Sequence, residues 1–241
     1  MDILRFTLKG RSAFFKMPEV NTICYFTYGN IHKVALLGIF GAILGYRGYA
    51  QMDKKDDFPE FYEKLKELSA SVVPAKGSKG YIQKKIQSFN NSVGYASQEQ
   101  GGNLIVNQQW LDNPQWDIYV KLDCNEADRL REMLMGKRTV YVPYLGSNDH
   151  PADIVDVEVL EGIEVQEQEI EHIDSLFPED KCTIDYEDDE VVPFKYQEYL
   201  PIGLVKETNL YELKKMIYTN LPILSHTCPV FNVKNKNIVF Y

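Results

Sequence analysis

The chain has 241 residues, 44% hydrophobic and 25% charged, enough to bury a full core and ordinary for a soluble globular protein. Its net charge of −9 argues against nucleic acid as a partner until it is divided, because residues 1–110 carry +5 and residues 111–241 carry −14. Attraction to RNA is a local matter, so this division permits, without requiring, a nucleic-acid face in the N-terminal half. Four cysteines, at 24, 124, 182 and 228, show no CxxC spacing and read as reduced thiols in a cytoplasmic protein.

Asp2 to Lys9 alternates Leu4, Phe6 and Leu8 against Ile3, Arg5, Thr7 and Lys9, the period of a half-buried strand. Arg11 to Lys16 (RSAFFK) continues extended, Met17-Pro18 breaks it, and Glu19 to Tyr28 reads as a loop or short strand. The stretch Gly29 to Tyr46, GNIHKVALLGIFGAILGY, follows, with no charged or strongly polar side chain from Val34 onward. Gly38 and Ala42, like Gly41 and Gly45, lie four apart, so a helix here carries tracks of small residues that let another backbone approach. Close packing must then offset the roughly 1 kcal/mol that each interior glycine costs. Apolar nearly all round, the helix is expected to be buried. It is too short and glycine-rich for a membrane span, and it sits behind a strand rather than at the N-terminus as a secretory signal would. Asn30 is the expected N-cap, with His32 and Lys33 in the first turn, where free amides beside basic groups offer a seat for phosphate. The competing reading is a core helix with no ligand at its end.

After a polar loop at Arg47 to Asp57, Phe58 to Leu68 repeats apolar residues at helical spacing, with Pro59 at an early position. Tyr81 to Val93 and Asn103 to Trp110 then read as the two sides of a long hairpin joined by a polar tip at Gly94 to Gly102. A hairpin with so few core residues is either an arm that reaches a partner or a mobile loop; Ile82, Ile86, Phe89, Leu104, Ile105 and Val106 want cover and favour the arm. Trp116 to Asp123 reads as a strand, Asn125 to Met135 as an amphipathic helix capped by Asn125 and closed by Gly136, and Arg138 to Val142 as another strand. Ile154 to Val165, Cys182 to Phe194, Tyr211 to Tyr218 and Phe231 to Phe240 are strand-like. The order fits an α+β protein: a ferredoxin-like (RRM-like) split βαβ domain over residues 1–155, with an arm at about 76–110, and a small β-rich domain over 156–241.

Three stretches, in order, resemble the CRISPR-associated RAMP proteins, in particular the fifth Cas subunit of type I Cascade complexes, in a type I-B-like branch. They are the N-terminal strand with GRSAFFKMPEVNT and YFTYGNIHK, the helix ALLGIFGAILGY, which looks like that family's LLGLLGAxLG helix, and YVPYLGSNDHPADI. Together they cover most of residues 1–155. The resemblance implies a non-catalytic, crRNA-binding subunit of a surveillance ribonucleoprotein in antiviral defence. It would cap the crRNA 5′ handle, touch the adjacent Cascade backbone subunit through its arm, and border the large subunit, meeting target DNA only indirectly. One branch of the family instead cuts repeat RNA without metal; for that endoribonuclease alternative, His32, Lys33 and Tyr28 are the compact candidates for proton transfer and charge stabilisation. A protein–protein adaptor with no RNA role is a third possibility.

In such a role a single-stranded handle is held by phosphate contacts and by bases stacked on aromatic faces. Lys33 and His32 are the expected phosphate contacts, Asn30 a cap or base reader, and Tyr25 and Tyr28 the stacking platforms, one of them in the core. Arg11 and Lys16 flank the first strand, Arg47 stands just past the helix where RNA or an acidic neighbour can take it, and Lys84 and Lys85 lie on the arm. Against each stands the plainer reading of a solvated charge or a packed ring. His150, in NDHPA, lacks a second His or Cys at ligand spacing and reads as a turn histidine satisfied by backbone. Asp185 to Glu190 (DYEDDE) lacks calcium-loop spacing and reads as a solvated loop. No GxxxxGKS, GxSxG or HExxH occurs, and neither a metal nor a cofactor is expected.

Overall fold

The computed structural model describes residues 1–19, 23–167, 170–187 and 192–241; residues 20–22 of the GRSAFFKMPEVNT stretch and 188–190 of the acidic run lie outside the described residues. In chain order the first elements are β1 (Asp2–Lys9), β2 (Ser12–Ala13), α1 (Lys33–Leu44), α2 (Glu60–Leu65), β3 (Ala70–Pro74), β4 (Lys84–Asn90), β5 (Ile105–Asp112), β6 (Gln115–Lys121), α3 (Asn125–Met135) and β7 (Asp153–Glu161). The chain continues through β8 (Ile163–Glu164), β9 (Phe177–Pro178), β10 (Cys182–Ile184), β11 (Lys195–Leu204), β12 (Tyr211–Thr219), β13 (Ile223–His226), β14 (Val230–Val233) and β15 (Lys236–Val239). It is a mixed α+β protein in which, among the described residues, β3, β6, β1 and β7 form a sheet in that order, antiparallel at each pairing. α1 connects β1 toward β3, and α3 connects β6 to β7, each time stepping over one strand.

The alternation of β1 sorts its side chains as the period requires. Leu4, Phe6 and Leu8 join Leu36, Leu37 and Phe40 of α1 in the main core, where Phe6 and Phe40 meet edge to face at 6.2 Å. Ile3 points the other way into a second cluster with Val73, Tyr119, Phe231, Val233 and Ile238, so the hairpin of β14 and β15 covers part of the opposite face. On that face Arg5 and Thr7 both bond Asp117, at 2.5 and 3.0 Å, and Lys236 reaches the same carboxylate at 3.2 Å.

α1 is buried as its composition demands. Gly45, at φ 83°, ends it in the left-handed region, where its amide and that of Tyr46 both bond the Gly41 carbonyl at 2.8 Å. At Gly41 an added Cβ would lie 2.5 Å from the Phe61 Cβ, so α2 packs at a distance that only glycine permits, whereas at Gly38 the nearest atom would be 4.0 Å away. The cap is not Asn30. His32 holds that position in an extended conformation, its Nδ1 accepting the Ala35 amide at 3.2 Å, because Asn30 is drawn into the core two residues earlier.

Other expectations shift for equally local reasons. α3 has its predicted span, but the cap position is Cys124, whose side chain makes no cap bond. Arg138 to Val142 is not a strand; instead the Val140 and Tyr141 amides bond the carbonyls of Ile43 and Ala42, satisfying the otherwise unpaired end of α1. β3 is buried at all of its positions, so ASVVP shows no alternation to read. β11 likewise lies outside the strands anticipated, and Phe231 to Phe240 divides into a hairpin whose turn places Lys234 and Asn235 at φ 49° and 60°. β7 runs through residue 155, and the main core takes Tyr196, Leu200, Leu204 and Met216 from beyond it. No helix among the described residues is long and apolar enough to cross a membrane.

Candidate nucleic-acid interface

β4 and β5 form the hairpin read from the sequence, paired from Lys84↔Leu111 to Asn90↔Ile105. β2 clasps the root of β5 through Ser12↔Asp112 and Ala13↔Leu111. Apart from a half-buried Phe89, every residue of β4 is exposed, and Ile86, Tyr95, Leu104 and Ile105 stand in solvent beyond the core. The segment after residue 22 runs beside this arm: the Tyr25 amide bonds the Asn107 carbonyl at 2.9 Å, and the Gln109 amide bonds the Tyr25 carbonyl at 2.8 Å.

These contacts bring three of the expected residues together. Lys16 pairs with Thr27, and its ammonium sits 4.2 Å from the centre of the Tyr25 ring. Lys84 reaches across from the arm to donate to the Thr27 carbonyl at 3.2 Å. Two cations and a half-buried aromatic ring thus share one surface at the foot of the hairpin, the combination that holds a phosphate beside a stacked base. Arg11 is exposed nearby, its carbonyl fixed by the Asn113 amide, and Lys85 is exposed but paired with Asp112 at 2.6 Å.

The others are placed differently. Tyr28, Asn30 and His32 are buried. Asn30 donates to the Gly80 carbonyl and accepts from the Trp116 indole, both at 2.9 Å, which ties the loop before α1 to the strap before the arm and to β6. The His32 ring packs edge-on to Phe15, Tyr28 and Tyr211, and burial lowers its pKa to about 3, so it is a neutral cap. Burial likewise raises the Tyr28 phenol, helped by Glu19, Tyr211 and Glu198. Lys33 is half-buried, with its pKa lowered by burial and drawn back by Glu67. Arg47 takes the acidic neighbour: its Nε and amide both bond Glu60 of α2, at 3.1 and 3.0 Å.

A small cavity of about 120 Å³ opens beside the foot of the arm, lined by Gly29, Tyr81, Ile82, Lys84, Tyr196, Gln197 and Glu198. Both Glu198 oxygens lie 2.9 Å from the Gly29 amide, and the Tyr196 hydroxyl donates to the same carboxylate at 2.5 Å. Burial raises the Glu198 pKa against the pull of these donors. Glu198 and Tyr196 escaped sequence reading because they lie on β11, 169 positions from Gly29 in the case of Glu198. His150 is buried, as a turn residue can be, but its Nδ1 meets the Ser12 hydroxyl at 2.7 Å rather than backbone, and Trp110 packs on its ring. A larger cavity of about 680 Å³ lies between the end of α3 and β7, and none of the expected RNA contacts lines it.

No protein-family model matches the chain, and no curated protein matches it in sequence. A chain from a CRISPR RNA-guided surveillance complex aligns over 92% of this chain and 91% of its own, with a TM-score of 0.55 and 12% identity. A CRISPR protein from Archaeoglobus fulgidus aligns over 100% and 99%, with a TM-score of 0.51 and 9% identity. Two solved CRISPR structures share this fold. At such identity the likeness extends to the path of the chain and not to particular side chains.

Proposed function

We propose that this protein is a non-catalytic crRNA-binding subunit of a type I CRISPR Cascade surveillance complex, a RAMP protein in the position of the fifth Cas subunit. Its sheet order, with two strand–helix–strand units interleaved, supports a ferredoxin-like core, and ending that domain at Glu161 rather than residue 155 keeps β7 whole. The observation that carries the functional reading is the solvent-facing hairpin with Lys16, Tyr25 and Lys84 gathered at its foot. The crRNA 5′ handle lies across that surface in this reading, with Arg11 and Lys85 at its margins and Lys33 a weaker candidate. The exposed apolar residues of the arm meet the neighbouring backbone subunit, the large subunit sits alongside, and the complex works in the cytoplasm.

The test is binding of purified protein to a short single-stranded RNA carrying the repeat 5′ handle, against a scrambled RNA, with cleavage read in the same samples. Handle-selective binding without cleavage, weakened by Lys16→Glu and Lys84→Glu but not by Arg47→Ala, is the expected result. Cleavage abolished by His32→Ala would replace this reading with the endoribonuclease one. Binding unaffected by both lysine substitutions would remove the foot of the arm from the interface.

A further inference from the structure

The sheet of β3, β6, β1 and β7 ends at β7, whose outer edge pairs with no strand among the described residues. The chain begins such a pairing and then abandons it. Tyr144 bridges Pro151 in the antiparallel sense, and the Ala152 amide donates to the Pro143 carbonyl at 3.1 Å. The residues that would continue this ladder beside β7 have turned away, because the Val140 and Tyr141 amides are held by the carbonyls at the end of α1. The cavity of about 680 Å³ occupies the gap, lined by Lys137 to Thr139 from the departing segment and by Ile154 to Val157 of β7. Successive side chains of a strand point to opposite faces of its sheet, so a cavity that touches four in a row lies against the edge itself. Apart from Thr139, the only polar residues of the lining are Lys137, Arg138 and Asp156; all three are exposed, and none is in an ion pair among the described residues. Val140, Tyr141 and Val142, which follow Thr139, are exposed apolar residues.

We propose that this groove takes an extended segment of a protein partner as an added strand along β7, with apolar side chains in the cavity and a carboxylate that meets Lys137 and Arg138. The abandoned ladder selects the shape of the occupant, since only an extended chain exchanges hydrogen bonds with a free strand edge. The apolar lining selects its side chains, and the exposed apolar residues alongside extend the contact. Its charge follows from two unpaired cations against one acid. Asp156 stands on the β7 side, at a bulge with φ 54° where the register with β1 shifts, and so turns the acid of the occupant toward the opposite rim. A second copy of this chain is a poorer occupant, because β7 laid against β7 brings Asp153, Asp156 and Glu161 of both copies onto one edge. No residue at the foot of the arm lines the groove, so it stands or falls independently of RNA binding.

The experiment measures binding of the full-length protein to a panel of fluorescein-labelled peptides as long as β7, alternating Val or Ile with Thr and carrying two Glu at one end or the other. Control peptides replace Glu with Lys, or carry N-methyl groups at alternate residues, which removes the donors a ladder needs. The Glu peptides are expected to bind several-fold more tightly than the Lys peptides, and the N-methylated forms not at all. Lys137→Glu combined with Arg138→Glu reverses the order, and Thr139→Trp, at an exposed position, fills the cavity without changing its charge and weakens both. Amide exchange in the bound protein slows over residues 153–161 and not in the arm. No binding by any Glu peptide, equal binding by the N-methylated forms, or an order untouched by charge reversal would overturn the proposal. So would displacement of the peptide by single-stranded RNA, which assigns the groove to nucleic acid, or sedimentation of the protein alone as a dimer with the same amides protected, which assigns it to a second copy.

Discussion

Asn30 and His32 show how little a residue type says about its use. Both are polar, His32 was expected to contact phosphate and Asn30 to cap the helix or read a base, and both spend their hydrogen bonds inside the molecule. Asn30→Ala leaves the Gly80 carbonyl and the Trp116 indole without their buried partner, and is expected to lower folding stability by about 2–4 kcal/mol, measured by urea unfolding. For His32 the pH dependence gives the test. Its folded pKa of about 3 lies below the ordinary 6.5, so the unfolded chain binds a proton that the folded one refuses. Stability from this group is complete above pH 6.5 and falls as pH drops toward 3. The groups with shifts of either sign elsewhere, His150 lowered by burial and His172 raised by its bond to Asp174, are common to wild type and variant. His32→Asn keeps a capping acceptor but does not titrate, so the fall in Tm between pH 7 and pH 4.5 should be smaller in the variant than in the wild type.

At the scale of elements, the glycine-rich helix separates two kinds of glycine. Gly41 meets Phe61 so closely that an added methyl displaces α2, and Gly41→Ala is expected to cost about 1–3 kcal/mol despite the better helix former. Gly38 has room, so Gly38→Ala should be neutral or stabilising by up to about 1 kcal/mol. Thermal unfolding of the two variants checks the opposite signs. The sequence showed that both lie on a helix with small-residue tracks, but which track faces α2 is a property of the packing. The elements that could be read share one feature, a pattern within their own span: β1 by alternation, α1 by its unbroken apolar run, α3 by its amphipathic face, and the arm by two extended stretches around a polar tip. β3 has no such pattern because both of its faces are covered, and residues 138–142 have β-rich composition yet serve to cap α1. Among the expected contacts, the gathering of Lys16, Tyr25 and Lys84 needed the pairing of Tyr25 with β5 and of Phe26 to Tyr28 with Phe15 to Met17, which no local signal announces.

For the whole molecule, charge division and fold act together. The acidic C-terminal half would repel RNA if charge were spread evenly, but Lys16, Tyr25 and Lys84 at the foot of the arm all come from the +5 half. Handle binding should therefore weaken steeply with salt, each phosphate contact adding about −0.7 to the slope of log affinity against log salt. Lys84→Glu is expected to flatten that slope by about one contact and also to lower Tm, because it loses the bond to the Thr27 carbonyl and sets a second carboxylate beside Glu198. A titration at several salt concentrations gives the slope directly. By itself the sequence determined what depends on neighbours along the chain: the first strand, the buried helix, the amphipathic helix, the long hairpin and the uneven charge. Only the tertiary structure decided which polar groups face solvent, since Asn30 and Glu198 are fixed by partners that folding brings from as far as 169 positions away and His32 is enclosed by the rings of Phe15 and Tyr211. Buried polar groups must be paired, and their partners are chosen by the packing of the sheet and helices rather than by sequence proximity.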